Sequence, residues 1–340
     1  MSAALDILQG GPSLSIQDMG RRGYRAVGLT EAGAMDTEAL HEGAALLHQS
    51  PDFAAIEMAG SGGSFRATAD IRIALTGAAM AATLDGEALT WNASHAMPAG
   101  ATLTIGGARR GSYGYLHIGG GIATDPVMGS RSSHLRAGVG KTLETGDTLP
   151  IGTDAHTEVS NGLTPSDRFD GGKVRIVASM QTEAFDQDTR ERFTATTFRR
   201  DPRGNRMGVR MDSERAGFST GAGLSIVSEI VVAGDIQITG DGAPFVLMCE
   251  CQTTGGYPRI GTVIPCDLPR IAQAQPGTAI TFEFITMAQA IALGQRHAAD
   301  MAGLRSRVAP LIRDPATIRD LLSYTLISGV ISATTNPFEE

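Results

Sequence analysis

Nine consecutive residues from Cys251 to Arg259, "CQTTGGYPR", bring together a thiol, an amide, two hydroxyls, a glycine pair, a phenol and a guanidinium. Gln252, Thr253 and Thr254 can both donate and accept hydrogen bonds, and Gly255 and Gly256 let the main chain approach a bound molecule closely. Tyr257 can cover that molecule, while Arg259 can grip a carboxylate or phosphate through two parallel bonds. The chemistry this suits is recognition of a small anionic or amide compound; the competing reading is a turn at a domain interface. The Cys251 thiol invites a nucleophile reading, but no histidine lies in the stretch, and one would have to arrive from elsewhere, such as His117 or His134. A core or loop cysteine is the preferred reading.

Three further segments carry chemistry. "SIQDMGRRGYR" (15–25) reads either as a salt-bridged surface loop or as a site in which Asp18 orients Arg21 toward an anion. "GGGIATDPVMGSRSSHLRAG" (119–138) gathers Ser130, Arg131 and His134 around glycines able to cradle phosphate. The following "GVGKT" fails as a phosphate loop, because the required first glycine would stand at Leu135. In "GNRMGVR" (204–210) and "IVSEIVVAGDIQI" (226–238), Arg206 or Arg210 can act as an electrostatic clamp and Glu229 as a base. A solvated ion pair is the plain alternative for each.

The elements that must position these groups are mostly strands. The patterning predicts strands at 55–58, 71–76, 81–84, 102–105, 113–118 and 148–151, then at 206–211, 225–232, 235–238, 244–249 and 279–285. Asp36 is placed to cap a short amphipathic helix, Thr182 to cap another carrying Phe185, Thr189 and Phe193. A longer helix is expected from 286 to 308, stopped before Pro310, with Met287, Ile291, Ala298, Met301, Leu304 and Val308 near one face. The polar stretch 152–172 is the linker candidate, and "LLSYTLISGVI" near the end reads as a helix or a strand packed on a domain or partner. Glycine followed by a strand-like run at 98–106, 144–152 and 275–284 hints at repeated halves.

Composition narrows the function classes. With 340 residues, 42% hydrophobic and 19% charged, the chain is an ordinary globular protein large enough for two domains. Its 43 glycines and 5% aromatic residues favour many short strands over bundled helices. A net charge of −8 argues against a nucleic-acid partner, since "FRRDPRGNR" is too short a basic cluster. Three cysteines do not make a disulfide framework or a zinc site, so no metal is expected and a reducing compartment is. No long apolar run marks a membrane span, and a cytoplasmic location is expected.

Taken in order, "QDMGRRGY" (17–24), "GAMD" (33–36), "GGI" (120–122), "GSRSSHLRAG" (129–138), "NRMGVR" (205–210), "SEIVVAGDIQI" (228–238) and "QTTGGYPRIGTVI" (252–264) resemble the biotin-dependent carboxyltransferase-like family. That family includes the C-type component of bacterial 5-oxoprolinase and the allophanate hydrolase subunit 2-type domain of urea carboxylase. The resemblance implies a mainly β fold of two cyclophilin-like β-barrel domains, at 1–160 and 170–290, followed by a helical extension at 291–340. It implies a B-like partner protein of the allophanate hydrolase subunit 1 type and an A-like one, with a small lactam or amide substrate. ATP or carboxybiotin would come through those partners and not be bound by this chain alone. It implies ATP-dependent opening of 5-oxoproline to glutamate, with carboxyl transfer to urea or a noncatalytic regulatory role as alternatives. Arg259, Tyr257, Gln252 and Glu229 are then the catalytic candidates. Thr253, Thr254, Gly255, Gly256, Arg206, Ser130 and Arg131 are the substrate-binding ones, with Gln237 in a neighbouring signature. Cys251 stands where the family usually has arginine, and His134 and Asn205 stand where it often has aspartate.

Overall fold

The computed structural model describes residues 3–312 except 215, 221–222 and 224–225. "LLSYTLISGVI", the terminal "TTNPFEE" and the start of the strand expected at 225–232 lie outside the described residues, as does most of the 291–340 extension.

The first half forms an 11-stranded antiparallel sheet that Ala309–Pro310, from beyond the second half's barrel, completes at one edge. Its path runs through strands 93–97, 71–84, 102–118, 64–67, 4–9 and 148–150, while 55–59 joins 14–17 to 102–118. The strands expected separately at 71–76 and 81–84 are one 14-residue strand, and those at 102–105 and 113–118 are one of 17 residues. The breaks expected between them are bulges instead: Gly77 and Gly111 take φ of 71° and 87°, and the register between the long strands shifts beside them. Helix α1 (Thr37–Leu47) packs on this sheet and is capped as expected, the Asp36 side chain accepting from Ala39 N. Beneath it, His117 is fully buried; its Nε2 lies 2.7 Å from Thr76 Oγ1, whose hydroxyl donates to Ala39 O at 3.0 Å.

The second half closes into a seven-stranded barrel in the order 172–177, 259–263, 235–238, 244–247, 208–212, 198–200 and 279–284. The last strand returns to the first in parallel register, Gly172 opposite Ile280 through Ile176 opposite Phe284. Helix α2 (Gln187–Thr194) is capped by Asp186, not by Thr182, which sits in a 3-10 turn and accepts from Ser179 N. Its Phe193 plugs the barrel against Phe198, Phe218 and Phe282, with ring centroids 5.2 to 5.3 Å away. Helix α3 (Leu268–Gln273), unforeseen in the sequence, follows the barrel strand 259–263. The chain is thus a mixed fold rich in strands. The barrel expected of the second half is closed, whereas the ladder of the first half runs as an open path.

Helix α4 (Met287–Ala302) starts on a Thr286–Gln289 capping box and ends six residues earlier than expected, continuing only as a 3-10 turn over Leu304–Arg307. None of its residues is buried, and Met287 and Ile291 face solvent, so it does not close the core. No described helix is long and apolar enough to cross a membrane.

One core spans both halves: Ala34, Met35, Tyr113 and Tyr115 pack with barrel residues such as Ile236, Met248 and Ile260. Polar groups cross the same boundary. Arg168, from the stretch expected to be a linker, donates from Nε to Asp36 at 2.7 Å and grips Glu42 with two bonds of 2.8 Å. Gln273 of α3 donates to Asp36 at 2.7 Å and to Tyr113 O at 2.8 Å. The stretch 152–171 has little regular structure, yet Arg168 here and Asp154, paired with Arg72, fasten it down.

Burial pushes the Glu42 carboxyl upward even against the pull of Arg168. Arg168→Ala leaves Asp36 and Glu42 buried without their cation and should cost about 3–5 kcal/mol in denaturant unfolding at pH 7. Acidification should return part of that loss, because the orphaned carboxyls then bind protons more tightly folded than unfolded. His117 has the opposite sign. Burial depresses its pKa to about 3, so its contribution is complete above the ordinary imidazole range and lost as pH falls through it. His117→Gln should flatten the acid side of the stability profile.

Candidate functional site

A cavity of about 320 Å³ opens between the halves. The first half lines it with residues from Met19 to Thr37, including Arg22, Arg25, Thr30 and Met35; the second half contributes Ala233, Met248, Cys249, Cys251 and Pro265. Four segments separated in the sequence therefore converge on one opening.

The convergence is held by hydrogen bonds between segments. Thr30 Oγ1 donates to Cys251 O at 3.0 Å and lies 2.9 Å from His134 Nε2. Because that hydroxyl proton is already committed, His134 must carry its proton on Nε2 and donate. Its Nδ1 accepts from Ala137 N at 3.2 Å, which fits a neutral ring. Burial first, then the nearby Arg21 and Arg206 charges, hold His134 below its ordinary pKa, against the pull of Glu250. Glu250 accepts from Arg206 Nε at 2.5 Å and from Arg136 N at 3.1 Å. Arg206 then reaches the first half, donating to Glu57 and, at 2.6 Å, to Gly33 O. Glu57 also accepts from Tyr115 OH at 2.6 Å and Met35 N at 2.8 Å.

Next to the cavity, Glu229–Ile230 and Thr254–Gly255 pair as a small two-stranded antiparallel sheet outside the barrel. Arg259 is its anchor. Its guanidinium donates to Glu229 at 2.8 Å, Asp235 at 3.1 Å, Ile230 O at 2.9 Å and Gln181 at 3.2 Å. From the first half, Arg25 donates to Val231 O at 2.8 Å. Gln237 is buried under this pair of strands, its Oε1 3.4 Å from Gln252 Nε2 and its own Nε2 without a partner among the described residues. A Cβ on Gly255 would meet that Nε2, so a larger residue here would push the Gln237 amide aside.

The structure divides the residues singled out from sequence into three places. Gln252, Thr253, Thr254, Gly255, Gly256, Tyr257, Glu229 and Arg259 form one surface with Gln237 beneath it; Gln252, Thr254 and Tyr257 are exposed. Arg259 is buried with most of its donors committed, so it orders this surface and is not a free clamp for an anion. Arg206 is largely enclosed in the junction between halves, its side chain 12% exposed. Ser130 and Arg131 line a separate cavity of about 390 Å³. There Ser130 Oγ, Ser132 Oγ, Arg131 N and Gly20 N all donate to Asp18, at 2.5 to 2.8 Å. Burial alone would raise Asp18; these four donors outweigh it and hold the carboxyl below its ordinary value.

Asp18 does not orient Arg21 directly. The two meet through Ser132, whose hydroxyl serves Asp18 and whose carbonyl accepts from Arg21. Gly138–Thr142 opens no helix: Gly138 ends a 3-10 turn and Lys141 pairs with Asp147 at 2.5 Å, which removes the phosphate-loop reading. Gln181, Asp235, Glu57 and Glu250 join the site without having been singled out from sequence. Glu250 had a signal, a carboxylate closely following the apolar strand "FVLM"; Gln181 and Glu57 had none, since only folding brings them near.

Residues 27–284 match the family model of the carboxyltransferase domain, subdomain A and B. The chain is 32% identical to the C-type component of 5-oxoprolinase from Escherichia coli over 292 residues, 84% of this chain and 93% of that protein. It superposes on the crystal structure of TTHA0988 with a TM-score of 0.76 at 27% identity, covering 83% of this chain and 56% of that one. On Kluyveromyces lactis urea carboxylase the TM-score is 0.79 at 21% identity, over 92% of this chain and 31% of that one, a likeness of fold. The chain thus spans nearly all of the bacterial relative but about half and a third of the two solved structures.

All three cysteines are free thiols. Burial raises Cys251 to about 11 and Cys249 to about 12, so neither carries a useful thiolate fraction near neutral pH. Iodoacetamide at pH 8 should therefore label both far more slowly in the native protein than in the unfolded chain, read by peptide mass spectrometry. Rapid native labelling of Cys251 would reinstate it as a nucleophile.

Proposed function

The chain belongs to the carboxyltransferase-domain family, subdomain A and B, and from that premise we propose that it is the C-type component of an ATP-dependent 5-oxoprolinase. On this reading it works with A- and B-like partner proteins to open the lactam of 5-oxoproline to glutamate. The observation that carries the reading is the near full-length match to a C-type 5-oxoprolinase component, joined to a cavity lined from the motif segments 17–24, 33–36 and 228–238. The cyclophilin-like pairing of two barrels and a cytoplasmic location belong to the same proposal.

The chemistry assigned to this chain is binding and orientation. Arg22 and Arg25 give the mouth of the cavity a positive field suited to a substrate carboxylate. The exposed Gln252 amide and the hydroxyls of Thr253 and Thr254 offer donors and acceptors for a lactam. Arg259, tied to Glu229 and Asp235, holds that surface in one arrangement, so donors aimed at a developing oxyanion need not reorganise during reaction. On the same reading ATP is brought by a partner chain. Carboxyl transfer from carboxybiotin to urea is the second reading, supported by 26% identity to yeast urea amidolyase over 302 residues, a weaker match.

The complex reconstituted from this chain and its A- and B-like partners should release glutamate from 5-oxoproline only with ATP, and should not carboxylate urea. Urea carboxylation with biotin-dependent partners, and no lactam opening, would transfer the assignment to the second reading; inactivity of every complex would leave a regulator. Gln252→Ala, on an exposed side chain, should lower kcat/KM about tenfold with an unchanged thermal midpoint. Arg259→Ala should lower it about a hundredfold, and Arg259→Lys should not restore it, because an ammonium cannot reproduce the planar fork that serves these acceptors.

A further inference from the structure

Helix α4 runs for 16 residues without burying one of them. It rests on the body of the protein through Ala290, Leu293, His297 and Met301, which are half-buried and recur at helical spacing. Beside that stripe runs a second, Met287, Ile291, Gly294, Ala298 and Ala302, apolar at every position and exposed throughout. A helix of this length is marginal by itself in water, and packing of an apolar face is what ordinarily stabilises one. The capping box at Thr286 fixes where α4 starts and supplies none of that packing.

Between α4 and α1 lies a groove of about 600 Å³. Gly294, Ala298 and Ala302 line it from α4, Ala44 and Ala45 from α1, and Cys266 and Leu304 complete the lining. Thr37 and Pro265 line both this groove and the cavity between the halves, so the two adjoin. The course of the chain past α4 points to an occupant. Leu304, Met301 and Val308 pack against Ala45 and Leu46, after which Ala309–Pro310 pair with Asn161–Gly162 and Leu311 N donates to Ser160 O at 2.8 Å. Ile312 therefore stands at most about 30 Å from Leu304. The sequence beyond it carries "LLSYTLISGVI" at 321–331, and no charged residue occurs from 321 to 338. The connecting stretch 313–320 reaches roughly 30 Å when extended and α4 is about 24 Å long, so the run can be laid along the groove. Left in water it would be an apolar patch of the kind that globular proteins cover. The family match ends at residue 284, so α4 and this run both lie beyond the matched domain.

We infer that the run 321–331 of this same chain seats in the groove between α1 and α4, where it covers the exposed apolar stripe of α4. An uncharged run then meets walls of alanine and glycine, so neither side buries an unpaired charge. Seated there, the run abuts Thr37 and Pro265 and backs the wall that the groove shares with the cavity between the halves.

Cys266 supplies a built-in probe, since its thiol lines the groove. The purified full chain is treated with iodoacetamide at pH 8 and the labelling of Cys266 is followed by peptide mass spectrometry. Leu322→Asp and Leu326→Asp in the run, and Ala298→Glu on the groove side of α4, should each speed that labelling at least about tenfold over the wild type while Cys249 and Cys251 stay slow. A variant that frees Cys249 as well has lost its fold, and the remaining two then decide. Wild-type labelling rates in the two aspartate variants would overturn the inference. A rate raised by Ala298→Glu alone would give the groove to another occupant and overturn it too. Protection of Cys266 that vanishes on dilution, together with a dimer in sedimentation that Leu326→Asp dissociates, would seat the run of a second copy there and overturn the assignment to the same chain.

Discussion

The Arg206 guanidinium is the constraint on which the rest of the molecule depends. It leaves the second half, enters the first, and divides its donors among Glu250 beside it, Glu57 of the central sheet and the carbonyl of Gly33. A buried cation is tolerated only when paired and fully hydrogen-bonded, so these three acceptors must keep fixed positions relative to it. Glu57 in turn fixes Tyr115 and the backbone at Met35, which begins the turn into α1. Such a network adds little to stability compared with apolar residues of equal volume; its effect is to permit one relative placement of the halves. The cavity between them exists because of that placement.

A similar economy governs the pair of short strands beside the cavity. A two-residue pair of strands has too little hydrogen bonding to stand alone. Arg259 compensates by binding the strand Glu229–Ile230 at both residues while Asp235 holds the arginine to the barrel. The result is an exposed recognition surface on a rigid base, in which the residue that looked most like a substrate clamp serves the fold. Polar side chains that can reach a ligand, Gln252, Thr254 and Tyr257, carry no structural duty of comparable weight.

Much of this was legible in the sequence. Strand positions, the Asp36 cap and the family were read from local patterns, because alternation, capping chemistry and motif order are properties of neighbouring residues. Errors occurred where a local signal has two tertiary outcomes. The breaks expected between strands 71–76 and 81–84 and between 102–105 and 113–118 are bulges in the sheet near Gly77 and Gly111, because the two long strands pair with each other across them. The stretch 152–172 looked like a linker, because nothing in its composition shows that Arg168 finds Asp36 and Glu42, buried more than a hundred residues earlier. The barrel of the second half depends on one parallel pairing between strands about a hundred residues apart, which no local pattern contains.

The sequence by itself determined the family and the chemical inventory: which amides, hydroxyls, thiols and guanidinia are present, and in what order. Tertiary structure alone decided which of them are free to act. Burial separated Arg206 and Arg259, whose donors are spent on the fold, from Gln252 and Thr254, whose side chains face outward. It also made Cys251 a neutral thiol and placed Ser130 and Arg131 around Asp18 in a different cavity. The physical reason is that availability depends on desolvation and on competing partners, and both are set by residues distant in the chain.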